Sequence, residues 1–328
     1  MKLKNIIMLT FFLNVFFVNL SYSQKYNRID SIILKYPKNF ASTEDLAKRI
    51  DKDFKSEYQK ARAIFSWIAL NIQYDYKAYL NPQPSKRFTY RTEYERNKQI
   101  QDLQDDIVQK AFTNKKAVCE GFSLLYAELA NSVGLNVEVI HGDSKTMLND
   151  IGRKNTQTNH AWNMVEIDGK WRLVDATWGQ GYFDFSKKIA VKEFKPYYFD
   201  TDPKYFFAKH YPDSGTYLND KIDKDAFLNG PLIYNNTIGG DHEILEPNSG
   251  LIEVKTGEKI TFRIKNISKT DDICYLNTKG QRFEIENPKE KRGFLEFQVT
   301  NTNNLSKFIT FFLNGNSIAS FKIVPKSI

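Results

Sequence analysis

The chain has 328 residues with a formal net charge of +8, two cysteines and four histidines. This length is enough for two domains. Two cysteines exclude a disulfide framework, and the cysteines and histidines match no zinc-ligand spacing. We therefore expect neither a metal site nor a cofactor.

The N-terminus predicts an export signal. Lys2 and Lys4 precede an apolar run over residues 6–20, which is followed by the small-residue pattern Ser21-Tyr22-Ser23. A basic start, a short apolar core and small final residues are typical of a secretory signal peptide. The run is short for a membrane span, and an uncleaved anchor is the alternative. We expect a signal peptide over residues 1–23, a periplasmic or extracellular mature protein, and no stable membrane insertion after cleavage.

The charge of the mature chain bears on its partners. Loss of the signal peptide removes two lysines and no acidic residue, so the chain stays basic. This balance predicts affinity for anionic surfaces, such as an acidic polymer of the cell envelope, rather than for nucleic acid. The densest basic and aromatic stretch runs from Lys86 to Arg96, and we interpret it as a solvated loop or the wall of a substrate groove.

Residues 24–225 are predicted to form a domain of mixed helices and strands. Ser42 and Asp45 indicate the start of a short helix, and the apolar periodicity predicts longer helices over about 57–72 and 100–112. Strands follow these helices along the chain. The pattern indicates an α+β fold in which helices pack on an antiparallel sheet.

A further helix is predicted to begin at Cys119. In the segment AVCEGFSLLYAELANSVGL the apolar side chains recur at helical spacing, and Gly134 marks the end of the helix. Cys119 would therefore lie in the first turn, where backbone N–H groups and the helix dipole favour an anion. Because the thiolate is the nucleophilic form of cysteine, this position favours a reactive thiol over a merely buried one.

The next two predicted strands form one hairpin. Residues 160–167 and 170–177 are strand-like runs joined by Asp168-Gly169, a pair typical of a two-residue type I′ turn. That turn fixes a register in which His160 and Asp175 are diagonal neighbours on one face of the sheet. A register shifted by one residue would put them on opposite faces. The imidazole and the carboxylate would then serve as a general base and the group that orients it.

Three segments of the chain resemble the transglutaminase-like superfamily of papain-fold cysteine enzymes: ARAIFSWIALNIQYD, AVCEGFSLLYAELANSVGL and NHAWNMVEIDGKWRLVDATWG. A later segment, YYFDTDPKYFFAKHYPD, is similar to the kyphoscoliosis-peptidase branch. By position, the resemblance implies a papain-like core in which Cys119 is the nucleophile, His160 the general base and Asp175 the orienting acid. It also implies a side-chain oxyanion donor upstream of the cysteine, for which the candidates are Trp67, Gln73 and Tyr74.

A polar stretch, GDSKTMLNDIGRKNTQTN, separates the Cys119 helix and its following strand from the hairpin. Long loops are often functional, so this stretch either shapes substrate entry or is surface decoration. We interpret His141 and His210 as structural residues, although either could line the site.

Residues 235–328 are predicted to form an immunoglobulin-like β-sandwich. About seven short alternating runs follow one another there, several of them separated by turn pairs at 256–257, 279–280 and 314–315. Cys274 lies in one of these strands. A disulfide between Cys274 and Cys119 is a minor alternative, because it needs two Cα atoms within about 7 Å.

Together these features predict an exported enzyme that transfers acyl groups from amide bonds of peptide or protein substrates. His160 would take the proton of Cys119, the thiolate would attack the carbonyl, and Asp175 would hold the imidazole. Hydrolysis by a peptidase or amidase is favoured over cross-linking by a transglutaminase. The alternative is a non-catalytic binding or scaffold protein of the cell envelope, in which the core only packs and the sandwich binds a partner.

Overall fold

The computed structural model describes residues 27–82, 88–184, 187, 189–218, 220–302 and 307–326. The predicted signal peptide lies outside these residues. In the described part, no helix is both long enough and apolar enough to cross a membrane. Contacts divide the chain into two compact units, one that runs up to Glu138 and resumes over Asn163–Phe199, and one made of Val139–Trp162 and the chain from Asp200 onward. The boundaries expected from the sequence, 24–225 and 235–328, stay a prediction.

The helices of the described residues are short except in the first half of the chain. They are α1 (Arg28–Ile33), α2 (Thr43–Asp53), α3 (Glu57–Asn71), α4 (Tyr76–Leu80), α5 (Glu93–Asn114), α6 (Cys119–Ser132), α7 (Ala176–Gly179), α8 (Pro203–Phe207), α9 (Lys224–Asn229) and α10 (Asn235–Ile238). Single 3-10 turns lie at Leu148–Asp150 and Pro196–Tyr198.

The strands concentrate in the second half of the chain. They are β1 (Gln73–Tyr74), β2 (Lys116–Ala117), β3 (Val137–Ser144), β4 (His160–Ile167), β5 (Lys170–Val174), β6 (Gly181–Asp184), β7 (Ile189–Lys192), β8 (His210–Pro212), β9 (Thr216–Tyr217), β10 (Asp220–Lys221), β11 (Leu232–Ile233), β12 (Glu243–Glu246), β13 (Leu251–Val254), β14 (Lys259–Lys265), β15 (Ile273–Asn277), β16 (Arg282–Glu284), β17 (Glu286–Lys291), β18 (Phe294–Thr300), β19 (Phe308–Leu313) and β20 (Asn316–Pro325). Helices precede most strands, which confirms the α+β class.

The first unit is built around α3, which forms where the sequence predicts it. Ser56 and Gln59 close a capping box at its start, which satisfies backbone donors that a helix leaves unpaired. The helix is buried without interruption from Ala61 to Ala69. Helix α6 packs beside it, and the Tyr126 hydroxyl donates to the Ala61 carbonyl at 3.3 Å. This packing places the start of α6 at a fixed position in the unit.

Helix α5 begins earlier than the sequence predicted, at Glu93 rather than near residue 100. The Thr92 side chain accepts a hydrogen bond from the Glu95 backbone at 3.2 Å. Glu93 and Glu95 also lie in the first turn, where the positive end of the helix dipole stabilises acidic side chains. The predicted loop or groove wall over residues 86–96 is therefore helical at its end, and Lys86 and Arg87 lie outside the described residues.

The predicted hairpin is present, with the predicted register. Ile167 pairs with Lys170 and Met164 with Leu173, and Asp168 has a φ of 50°. Gly169, with a φ of 71°, completes the pair of positive φ angles that a type I′ turn requires. The second strand, however, ends at Val174, three residues before the predicted end.

The second unit contains two sheets of a β-sandwich. One sheet has the order β11-β20-β19-β15-β16, with β13 also pairing with β20, and the other has the order β12-β14-β18-β17. The core between them is mostly aliphatic and aromatic and includes Phe262, Phe297, Phe311 and Phe321, each at most 2% exposed. The strands fall on the alternating runs from which the sandwich was predicted. Strand β3 pairs with β8 in this unit, with Ser144 opposite His210.

Candidate active site

Cys119 is the first residue of α6. Strand β2 leads directly into the helix, and Val118 at the cap position offers no side-chain hydrogen bond to the helix end. The backbone N–H groups of a first helical turn have no partner within the helix, and the dipole adds partial positive charge there. Cys119 is half-buried, and neither it nor Cys274 is in a disulfide. The position suits a thiolate, as the sequence predicted.

Tyr74 is held beside this helix start by a short parallel pairing. It lies opposite Ala117 in the pairing of β1 with β2, and the next backbone N–H, that of Asp75, donates to the Ala117 carbonyl at 2.7 Å. Burial raises the pKa of the Tyr74 hydroxyl far above its usual value, and negative charge at Cys119 is the second cause. The phenol therefore keeps its proton at any physiological pH and can act as a hydrogen-bond donor.

The other two oxyanion candidates lie elsewhere. Trp67 is completely buried in the core of the first unit, where its ring stacks on Phe112 with centroids 5.6 Å apart. Its indole nitrogen has no hydrogen-bond partner among the described residues. Gln73 is exposed and precedes Tyr74 on β1, so its side chain points to the opposite face of the strand. Among the three, Tyr74 is the candidate with an electrostatic interaction with Cys119.

His160 is the first residue of β4 and lies in an aromatic cluster. It is 6% exposed, and its ring is 6.1 Å from that of Trp162 and 5.6 Å from that of His210. His210 is completely buried and stacks on Phe206 with centroids 3.9 Å apart. Its Nδ1 lies 3.0 Å from the Phe206 carbonyl oxygen. Because a carbonyl oxygen only accepts, this nitrogen of His210 carries a proton.

Asp175 ends the hairpin as a helix cap, which corrects the strand predicted to continue to residue 177. Its side chain accepts a hydrogen bond from the Trp178 backbone at 2.9 Å and starts helix α7. A carboxylate at a helix cap accepts a hydrogen bond from a backbone N–H group that has no partner within the helix. This bond favours a helix over further strand pairing after Val174. Asp175 is 1% exposed, so the capping carboxyl group is also buried.

A ring nitrogen of His160, one of His210 and a carboxylate oxygen of Asp175 all lie within 4.8 Å of one another. The predicted base and its predicted orienting acid therefore belong to one cluster. His210, which the sequence indicated to be either structural or part of the site lining, is its third member. Two imidazoles and a carboxylate are also ligands that transition metals accept, and the expectation that the protein needs no metal stays a prediction.

The sequence is similar to a known protein family and to several known proteins. The sequence model of the transglutaminase-like superfamily matches residues 44–176. Human kyphoscoliosis peptidase is 27% identical over 251 residues, which are 73% of this chain and 33% of the human protein. Mouse kyphoscoliosis peptidase is 28% identical over 171 residues, 52% of this chain and 23% of that protein. Hillarin of Drosophila melanogaster is 26% identical over 180 residues, 51% of this chain and 19% of that protein.

The chain spans at most a third of the length of these relatives. The shared part contains Cys119, His160 and Asp175, since all three fall inside residues 44–176. Residues 44–176 thus form a domain of the transglutaminase-like superfamily, and the relatives that the chain resembles place it with the kyphoscoliosis-peptidase-like branch.

Proposed function

We propose that this protein is a thiol-dependent enzyme that transfers acyl groups from amide bonds of peptide or protein substrates. Cys119 is the nucleophile, His160 the general base and Asp175 the group that orients the base. The observation that carries the proposal is a half-buried cysteine at a helix start in a chain that also clusters a histidine and an aspartate. This combination is what a thiol nucleophile and its activating pair require.

The proposed reaction begins when His160 takes the thiol proton of Cys119. The thiolate adds to the amide carbonyl, and the carbonyl oxygen becomes an oxyanion. Backbone N–H groups at the start of α6 and the Tyr74 hydroxyl stabilise that oxyanion. The imidazolium of His160 then protonates the leaving amine, the C–N bond breaks, and a thioester remains. Water, deprotonated by His160, releases the acid and restores the thiol.

Hydrolysis is the proposed outcome rather than cross-linking. Two relatives carry the name peptidase, which supports water as the acyl acceptor. Transfer to an amine uses the same thioester, so hydrolysis and cross-linking differ only in whether water or an amine attacks it. We also propose that the protein is exported and that its basic surface contacts acidic envelope polymers; N-terminal sequencing of the mature protein, expected to begin at Gln24, tests the export.

Alkylation of Cys119 across pH tests the chemistry without knowledge of the substrate. Iodoacetamide labelling, quantified at the Cys119 peptide by mass spectrometry, is expected to be rapid at neutral pH and to slow when His160 is replaced by alanine. Cys274 is 1% exposed, so its peptide in the same digest is an internal control. A Cys119 thiol that titrates near about 8.5, as an ordinary cysteine does, would support the scaffold alternative instead.

Turnover is then tested on glutamine-containing peptides and cell-wall peptides, with and without an added primary amine. Release of ammonia or a new amine terminus without amine incorporation is the expected result. Incorporation of the amine would assign the protein to cross-linking. A Cys119→Ala variant with undiminished turnover would reject the proposed nucleophile.

A further inference from the structure

The residue that precedes the proposed base is anchored through both its backbone and its side chain. The Asn159 backbone N–H donates to the Gly142 carbonyl at 2.9 Å. Its side-chain oxygen accepts from the Ser144 backbone N–H at 2.8 Å and from the Ser144 hydroxyl at 2.9 Å. Both partners are residues of β3. His160 therefore follows, by one peptide bond, a residue held at three points.

A buried carboxylate lies between those two anchors. Asp143 is completely buried, and its oxygens accept from the Asn159 side-chain amide at 3.2 Å and from the Gln157 backbone at 2.9 Å. It also forms an ion pair with Arg153. A buried charge is costly unless it is paired and hydrogen-bonded. Every one of these partners belongs to the segment between β3 and β4, so the charge of Asp143 favours one arrangement of that segment.

The rest of the segment is organised around the same ion pair. Arg153 lies 3.8 Å from Asp150 through its second terminal nitrogen. Asp150 in turn accepts from the backbone N–H groups of Thr146 and Met147 at 2.8 and 2.7 Å. Two carboxylates around one guanidinium thus order the polar stretch from its beginning to Asn159. From the sequence, this stretch is expected either to shape substrate entry or to be surface decoration.

We propose that Asp143 is a positioning residue that, through Asn159, fixes the start of β4 and with it the imidazole of His160. The inference rests on the proposed function, since it assigns a role in delivering the general base. Misplacement of a catalytic group by about 1 Å can cost roughly a hundredfold in rate. A loop held by a buried charge therefore affects the chemistry even though Asp143 does not touch the substrate.

The test is the pH profile of Cys119 alkylation in the full-length Asp143→Asn variant. Asparagine has the same shape as aspartate, but it has no negative charge to pair with Arg153. It also has an NH₂ group in place of one of the two accepting oxygens. The expected result is a folded protein in which alkylation at neutral pH falls by about tenfold and the profile moves toward that of an ordinary thiol. The matched control is Asp213→Asn. Asp213 holds Thr158 of the same segment from the exposed side, at 3.0 Å, and its loss should leave the profile unchanged.

Two further variants keep the test decisive if Asp143→Asn does not fold. Asn159→Ala leaves Asp143 and Arg153 in place but removes the half-buried side chain that joins Asp143 to Ser144, and it should shift the profile in the same direction. The double variant Asp143→Asn with Asn159→Asp exchanges the charge and the amide, and should restore part of the lost reactivity. A lower melting temperature with a wild-type profile in all of these variants would mean a purely structural role and would overturn the inference.

The outcome is also distinguishable from failure of the proposed function. If His160→Ala labels as fast as the wild type at neutral pH, the thiol does not depend on the imidazole and the proposed function fails. If His160→Ala is slow while Asp143→Asn and Asn159→Ala match the wild type, the proposed function stands and the positioning role of Asp143 is rejected.

Discussion

Tyr74 and Cys119 are electrostatically linked: burial raises the pKa of the Tyr74 phenol, and negative charge on Cys119 is the second cause. The pairing of Tyr74 with Ala117, two residues before the thiol, produces this neighbourhood. A protonated phenol beside a nucleophile is placed to donate to an oxyanion and not to take a proton from the thiol. The relationship therefore separates two steps of the proposed reaction, thiol activation and transition-state stabilisation.

Tyr74→Phe is expected to separate those steps. The variant should alkylate at Cys119 about as fast as the wild type, because the thiol and imidazole are unchanged. Its turnover of an amide substrate should fall by about a hundredfold, the usual cost of one oxyanion donor. Tyr79→Phe is the control, since that ring lies 6.0 Å from Tyr74 and is 50% exposed. Unchanged turnover in Tyr74→Phe would remove the tyrosine from the mechanism.

Asp175 caps a helix and, in the proposed reaction, orients the general base; two substitutions can separate these roles. Asn is as good a helix cap as Asp, so Asp175→Asn should keep the bond to the Trp178 backbone and nearly the full free energy of unfolding. It lacks the charge that steadies an imidazolium, and turnover should fall by about 10²- to 10⁴-fold. Asp175→Ala should lose about 1 kcal/mol of stability in addition. Urea unfolding and turnover are measured in parallel, and wild-type turnover in Asp175→Asn would contradict the assigned role.

The lowered pKa of Lys145 predicts that the free energy of unfolding depends on pH. Burial lowers the pKa of its amine to about 7, with the positive charge of Arg153 as the second cause. Between that value and the usual value near 10.5, the unfolded chain binds a proton that the folded chain does not. The free energy of unfolding should therefore rise with pH in this window, by up to about 1.4 kcal/mol per pH unit, and this contribution should be flat below it.

Lys145→Met tests that dependence by urea unfolding at two pH values inside the window. The amine donates to the Gly230 carbonyl at 2.9 Å, so the variant loses one hydrogen bond at both pH values. The difference in stability between wild type and variant should still grow with pH in favour of the wild type. Lys154→Met, an exposed change in the same segment, is the control and should show a constant difference. The same constancy in Lys145→Met would refute the prediction.

Arg62 and Asp30 form a buried ion pair in the first unit. The guanidinium donates to both carboxylate oxygens, at 2.9 and 2.8 Å, and to the Pro196 carbonyl at 2.8 Å. Arg62→Met leaves the buried carboxylate without its cation and should lower the free energy of unfolding by about 3–5 kcal/mol. Arg49→Met breaks an exposed pair with Asp53 and should cost at most about 1 kcal/mol. Equal losses in the two variants, measured by urea unfolding, would contradict this ranking.

Turnover by this protein is expected to be independent of metal ions. The proposed reaction uses a thiol and an imidazole, so exhaustive chelation should leave turnover unchanged. Added Zn²⁺ should inhibit reversibly, because His160, His210 and Asp175 present suitable ligand atoms within 4.8 Å of one another. Turnover that is lost on chelation and restored by a metal would show that the cluster serves metal chemistry instead.

Features set by neighbouring residues could be predicted well. The helix that starts at Cys119 and the hairpin turned by Asp168-Gly169 both formed as expected, because periodicity and turn chemistry act over a few residues. The end of β5 was predicted wrongly. The residues after Asp175 have strand propensity. The Asp175 carboxylate nevertheless accepts a hydrogen bond from the Trp178 backbone N–H, and a helix begins there. At such a position, a helix-capping hydrogen bond competes with strand pairing, and tertiary packing decides which of the two forms.

The sequence by itself determined which residues are candidates for thiol chemistry: a cysteine at a predicted helix start, and a histidine and an aspartate on a predicted hairpin. Tertiary structure alone decided which distant groups support them. Tyr74 reaches Cys119 through a pairing of strands 43 residues apart along the chain, and His210 joins the cluster of a histidine 50 residues before it. Asp143 organises the segment before His160 through contacts at separations of 14 and 16 residues. Such contacts depend on how strands and helices pack, which local propensity does not encode.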